Sequence, residues 1–143
     1  LPLHPYVTSA IPNASAELAG ELNLQAIELF NDHLHVIEPI EHVVTIAQQF
    51  HGKLPLAVVT GSYRDVVIPV LDAIGITGLF DLVVTADDVQ HSKPAPDLYQ
   101  LAMHRMTVAA GRCLVYEDSE IGVESARLAG VGRIVDIRTW PVD

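Results

Sequence analysis

Four short apolar runs rich in β-branched side chains recur along the chain: LPLAVVT (54–60), FDLVVT (80–85), CLVY (113–116) and RIVDI (133–137). Continuous apolar runs of this length mark strands buried on both faces. Helical stretches separate them. One spans 63–74, where Ser62 and Asp65 have capping-box spacing, Pro69 predicts a kink and Gly75 and Gly78 predict the end. A second spans 97–106 after the loop HSKPAP, and a third spans 119–129 with Gly130 at its C-cap. The order β-α-β-α-β-α-β, with connections long enough for crossovers, specifies an α/β fold built on a doubly wound parallel sheet.

Upstream of the first run the pattern is different. Residues 1–13 hold Pro2, Pro5 and Pro12 without periodicity, which reads as an extended arm. Ser15 is placed to cap a helix running to Val36, and His33 and His35 within it are expected to point to different faces. Pro39 opens a second helix carrying Val43, Ile46, Ala47 and Phe50 at helical spacing, with Gly52 as its stop. The expected division is an arm and helical segment over 1–37 and an α/β core over 38–143.

The totals exclude several classes. Half of the 143 residues are apolar and 18% are charged, which supports a real core and rules out intrinsic disorder. Eight Lys and Arg face 18 Asp and Glu, a formal net charge of -10, so the summed field repels nucleic acid and anionic membranes. No apolar run approaches the roughly 18 residues of a membrane span. The single cysteine, Cys113, excludes an internal disulfide framework and fits a reducing, cytoplasmic setting.

In an open parallel sheet, ligands collect at the carboxyl ends of the strands. Three features fall there. Thr60-Gly61-Ser62 offers two hydroxyls and the N–H groups of a helix start, suited to an anion, although Ser62 could simply cap the helix. Lys93, in a loop stiffened by Pro94 and Pro96, offers one aimed ammonium, although a loop lysine is commonly a solvated one. Glu117 and Asp118 follow a buried strand, where adjacent carboxylates repel each other unless a hard cation such as Mg²⁺ lies between them. Their bland reading has Asp118 and Ser119 capping the next helix while Glu117 faces water. The seven histidines show no ligand spacing and read as surface or packing residues. Taken together, the first three features describe a site for a phosphate and a Mg²⁺ ion.

The order VVTGS (58–62), SKPAPD (92–97) and VYEDSEIGVESARLAG (115–130) resembles the second, third and fourth motifs of the haloacid dehalogenase-like (HAD) phosphohydrolases. The stretch TADDVQHSKPAPDLY resembles the β-phosphoglucomutase and sugar-phosphatase branch, which includes bacterial fructose-1-phosphate phosphatases. The resemblance covers residues 38–138. It implies a Rossmann-like parallel sheet of the HAD type and a small phosphorylated metabolite, a sugar phosphate, as substrate. Thr60 would hydrogen-bond the transferring phosphoryl group with help from the Gly61 and Ser62 backbone, Lys93 would neutralise its charge, and Glu117 and Asp118 would position Mg²⁺. The helical stretch 15–36 is similar to the end of the family's mobile cap.

The family's nucleophile motif, DxDGT on a central strand, has no counterpart. The acids before residue 54 are Glu17, Glu21, Glu28, Asp32, Glu38 and Glu41, all in helical stretches or at their ends. Without an aspartate nucleophile there is no phosphoaspartate, so the chain is expected to be the C-terminal part of a phosphatase or phosphomutase, inactive alone. The alternative is a non-catalytic phosphate-binding or assembly module that keeps the HAD fold. Absence of the central strand also leaves two unpaired edges, closed by direct pairing, by the arm or by another chain. The expected outcome is a homo-oligomer.

Overall fold

A computed structural model describes residues 13 and 15–140, in two units, Leu1–Glu38 and Pro39–Asp143. Of the arm expected over residues 1–13, residues 1–12 lie outside the described residues. In the first unit, helix α1 (Ala16–Asp32) starts where expected, with Ser15 Oγ accepting the Leu18 N–H at 3.1 Å. It stops earlier than Val36. His33 is the C-cap, and Leu34–Val36 continues as a 3₁₀ turn. That change of winding brings the His33 and His35 rings together, stacked with centroids 6.5 Å apart, rather than onto different faces.

The second unit holds the alternating elements: α2 (Glu41–Phe50), β1 (Ala57–Val59), α3 (Arg64–Ala73), β2 (Leu82–Val84), α4 (Asp97–Met106), β3 (Leu114–Glu117), α5 (Glu120–Leu128) and β4 (Arg133–Asp136). Three of the four strands fall inside the apolar runs that predict them, β3 runs one residue past its run to Glu117, and the fold is α/β. β1, β2 and β4 are shorter than their runs because pairing is limited. β1 pairs in parallel only with β2, from Ala57 opposite Leu82 to Val59 opposite Val84, and β3 only with β4, from Leu114 opposite Arg133 to Glu117 opposite Asp136. The strands therefore form two parallel pairs, and β1 and β3 do not close on each other among the described residues.

Helix α4 joins the two pairs. Its Leu98 and Ala102 pack with Val84 and, in part, Val59 and Leu82. One residue further round the helix, Tyr99 packs with Ala126 and Ala129 of the α5 end, with Met103, Val115 and Ile134 against the same cluster. Two adjacent apolar stripes on one helix thus hold β1 and β3 beside each other. Val59 touches both clusters.

Where the sequence names a capping residue, the helix ends follow local chemistry with one exception. α3 closes in a Schellman motif, Gly75 N–H to the Asp72 carbonyl at 3.1 Å and Ile76 N–H to the Leu71 carbonyl at 3.0 Å, with Gly75 at φ 73° where a Cβ is disfavoured. Ser119 caps α5 by accepting the Gly122 N–H at 3.1 Å. The exception is the start of α3. Ser62 does not cap it. Tyr63 is the N-cap residue without a side-chain cap bond, and Asp87 from the loop after β2 accepts the Arg64 N–H at 2.7 Å. Helix α3 also continues through Pro69.

Candidate active site

The carboxyl ends of β1 and β3 meet at Lys93. Its Nζ donates to the carbonyl of Val59, the last residue of β1, at 3.1 Å and to Oε1 of Glu117, the last residue of β3. The Lys93 side chain is 10% exposed and that of Glu117 is 4% exposed. Lys93 is therefore no solvated loop lysine, and Glu117 does not face water. Burying either charge alone would be strongly unfavourable, so the two are mutually required.

The loop that carries Lys93 is fixed from two sides. Ser125 Oγ of α5, fully buried, donates to the Ala95 carbonyl at 2.6 Å. Ser92 packs so closely on Gly61 that a Cβ there would lie 3.0 Å from Ser92 Oγ. Glycine at position 61 thus lets the lysine loop approach the turn after β1.

In that turn the Thr60 N–H donates to the Val84 carbonyl at 3.0 Å, and the Ser62 N–H donates to Thr60 Oγ1 at 3.1 Å. The Ser62 N–H is consequently engaged within the turn. The Thr60 hydroxyl, already accepting one bond, keeps its proton to donate, and the Gly61 N–H has no partner among the described residues. Both donors lie next to Val59, on which Lys93 sits.

Glu117 has a second donor that sequence reasoning missed. The Tyr99 hydroxyl, from the first turn of α4, donates to the same Oε1 that Lys93 contacts. The ring also lies under the ammonium, with Nζ 5.1 Å from its centroid. Burial first, then the bond to Glu117 and the nearby carboxylate charges, push the Tyr99 phenol far above its ordinary value, so it stays a donor. On the other carboxylate oxygen, Ser119 Oγ donates to Glu117 Oε2 at 3.4 Å. Gly122 of α5 leaves room for this carboxylate, because a Cβ at that position would overlap it. The signal for Tyr99 lay in its position: it is in the first turn of the helix that the Lys93 loop opens.

Asp118 follows Glu117 and is exposed. Lys93 and Asp118 therefore share one end of the strands, as the phosphate-and-metal expectation requires. As a cation site the residues are incomplete. Glu117 is committed to Lys93 and Tyr99, Asp118 offers one carboxylate, and no group of three or more His, Cys, Asp and Glu side chains comes together among the described residues. Magnesium demands a near-octahedral set of oxygens, which these residues alone do not fit.

Comparison with known proteins places this geometry in a family. The model of the haloacid dehalogenase-like hydrolases matches residues 7–135. The chain is 41% identical over 105 residues to the fructose-1-phosphate phosphatase YqaB of Escherichia coli (strain K12), across 73% of this chain and 55% of that protein. It is 31% identical over 110 residues to a phosphorylated carbohydrates phosphatase of Thermotoga maritima, across 77% of this chain and 48% of that protein. CbbY from Rhodobacter sphaeroides, solved in complex with phosphate, shares the fold with a TM-score of 0.70 at 24% identity, over 87% of this chain and 58% of that one. The chain thus spans about half the length of the curated relatives it matches. It belongs to the haloacid dehalogenase-like hydrolases.

Proposed function

We propose that this chain carries the phosphoryl-holding half of a phosphatase or phosphomutase that acts on a small sugar phosphate, with Mg²⁺ as the cofactor. The observation that carries the reading is the buried ammonium of Lys93 at the ends of β1 and β3, bonded to the Val59 carbonyl that leads into the turn holding the Thr60 hydroxyl and the Gly61 N–H. One cation and two fixed donors in a water-poor setting stabilise the charge of a transferring phosphoryl group. Asp118 would hold Mg²⁺ together with oxygens from outside the described residues. The similarity to sugar phosphatases supports the substrate class, and a reducing, cytoplasmic setting accords with the single cysteine.

The nucleophile comes from outside these residues. The acids before β1 lie in α1 (Glu17, Glu21, Glu28, Asp32), at Glu38 or at the start of α2 (Glu41), never at a strand end. The chain alone therefore releases no phosphate from sugar phosphomonoesters above background in the presence of Mg²⁺. Magnesium-dependent turnover lost on Asp118→Ala would contradict this, because it would mean that the described residues already contain the nucleophile.

Self-association belongs to the same reading. β1 and β3 each keep one unpaired edge among the described residues, and Leu114, Ile121 and Leu128 are 47%, 55% and 48% exposed. Apolar surface beside unpaired strands favours a homo-oligomer, most simply a dimer. Light scattering at micromolar concentration is expected to give twice 15.5 kDa, and a monodisperse monomer would contradict it.

A further inference from the structure

Lys93 faces a conflict that its surroundings resolve. In the structure its charge is matched by Glu117 Oε1, yet a phosphoryl group beside Thr60 and Gly61 would draw the same ammonium. If Lys93 turned to that anion, Glu117, 4% exposed, would lose its counter-charge in the interior. A buried carboxylate stripped of its counter-charge is strongly disfavoured, which holds Lys93 where it is.

Tyr99 supplies what is missing. Its hydroxyl donates to the very oxygen that Lys93 contacts, while Ser119 Oγ donates to the other oxygen at 3.4 Å. The phenol is 4% exposed, clamped between Ala126 and Ala129 on a helix whose start is set by the lysine loop, so this donor does not move with the ammonium. The ring face, 5.1 Å from Nζ, gives the ammonium a surface attractive to cations while it shifts between the two anions.

We propose that Tyr99 is a positioning residue that lets Lys93 exchange Glu117 for a phosphoryl anion. The inference rests on the reading of Thr60, Gly61 and Lys93 as a phosphoryl site. Tyr99→Phe removes the hydroxyl and keeps the ring, so Lys93 stays on Glu117 and anion affinity falls. Glu117→Gln keeps the shape of the side chain and removes the charge that competes for Lys93, so affinity rises and Tyr99 ceases to matter.

The test is an NMR titration of the labelled chain with inorganic phosphate, following the Gly61 amide and that of Lys93. Wild type is expected to show saturable shifts, Lys93→Met none, and Tyr99→Phe an affinity lower by about tenfold or more, the worth of one charge-assisted hydrogen bond. Glu117→Gln is expected to bind more tightly than wild type, with Tyr99→Phe/Glu117→Gln equal to Glu117→Gln. A role in packing alone would not be relieved by Glu117→Gln. If Tyr99→Phe binds like wild type while Lys93→Met does not bind, the role of Tyr99 is overturned and the phosphoryl site stands. A Tyr99→Phe defect that persists in the double variant overturns it too. Should Tyr99→Phe fail to fold, Glu117→Gln alone decides, since affinity no higher than wild type overturns the exchange. No saturable shift in wild type, or equal binding by Lys93→Met, overturns the phosphoryl site and the inference together.

Discussion

The ammonium of Lys93 bonds the carboxylate of Glu117 and, from the same nitrogen, the Val59 carbonyl at 3.1 Å, so one side chain ties the carboxyl end of β1 to that of β3. No backbone ladder does this, because each strand pairs only with its own neighbour. The pair is buried, and its contribution to stability depends on both partners being present.

Lys93→Met should accordingly lower stability by about 3–5 kcal/mol, the usual effect of stranding one partner of a buried pair. Adding Glu117→Leu in the same chain should recover most of that loss, since two apolar side chains leave no uncompensated charge. Urea unfolding of the two single variants and the double variant measures the coupling. Equal losses in Lys93→Met and in the double variant would show that the pair is not what the fold depends on.

Gly122→Ala tests the space around Glu117. On an exposed helix the change would stabilise by roughly 1 kcal/mol through propensity. Here the added Cβ overlaps the Glu117 carboxylate, which is held on its other sides by Lys93 and Tyr99. Overpacking of this kind destabilises by about 1–3 kcal/mol, so the net sign should be a loss. A thermal melt in which Gly122→Ala gains stability would mean that Glu117 moves aside easily.

How much of this was legible beforehand depended on whether neighbours in sequence or in space set the structure. The strands announce themselves because runs such as AVV and LVV have no polar face to expose. Ser15, Ser119 and Gly75 act on residues next to them, so their capping roles are visible in order alone. Ser62 misleads because the start of α3 is capped from another loop, by Asp87 accepting the Arg64 N–H. The short strands and the two separate pairs depend on long-range pairing, which no local pattern records. Thr60, Lys93 and Glu117 could be placed at strand ends by topology. For Tyr99 topology gives only a place in the first turn after the Lys93 loop, because a tyrosine at helical spacing reads as core, and it is core as well as a donor to Glu117.

Asp88 should make stability depend on acid pH. It accepts bonds from the Thr85 N–H at 2.9 Å, from Arg64 at 3.0 Å and from Arg105 at 3.1 Å, joining the loop after β2 to α3 and α4. Burial works to raise its pKa, yet the bonds from Thr85 and Arg105 hold it below the ordinary 3.8. A carboxylate with a depressed folded pKa adds stability that is fully present above its unfolded value and is lost as pH falls through the folded one. Asp88→Asn should therefore destabilise by about 1–2 kcal/mol at pH 7. The gap from wild type should close as pH drops below 3.8. Denaturant midpoints across that range check it, and a gap independent of pH would show that Asp88 titrates normally.

The central claim is that the phosphoryl-holding groups are built into this chain, while the aspartate nucleophile and the remaining oxygens for Mg²⁺ must be added. The most direct measurement is release of phosphate from fructose 1-phosphate, with Mg²⁺, by the chain mixed with a segment that carries the family's DxDGT nucleophile motif. The account predicts turnover that needs both pieces and drops by about 10²-fold or more with Lys93→Met, the scale of losing one charge-stabilising group. Turnover unchanged by Lys93→Met would contradict it, because the phosphoryl group would then be held by something other than the site at the ends of β1 and β3.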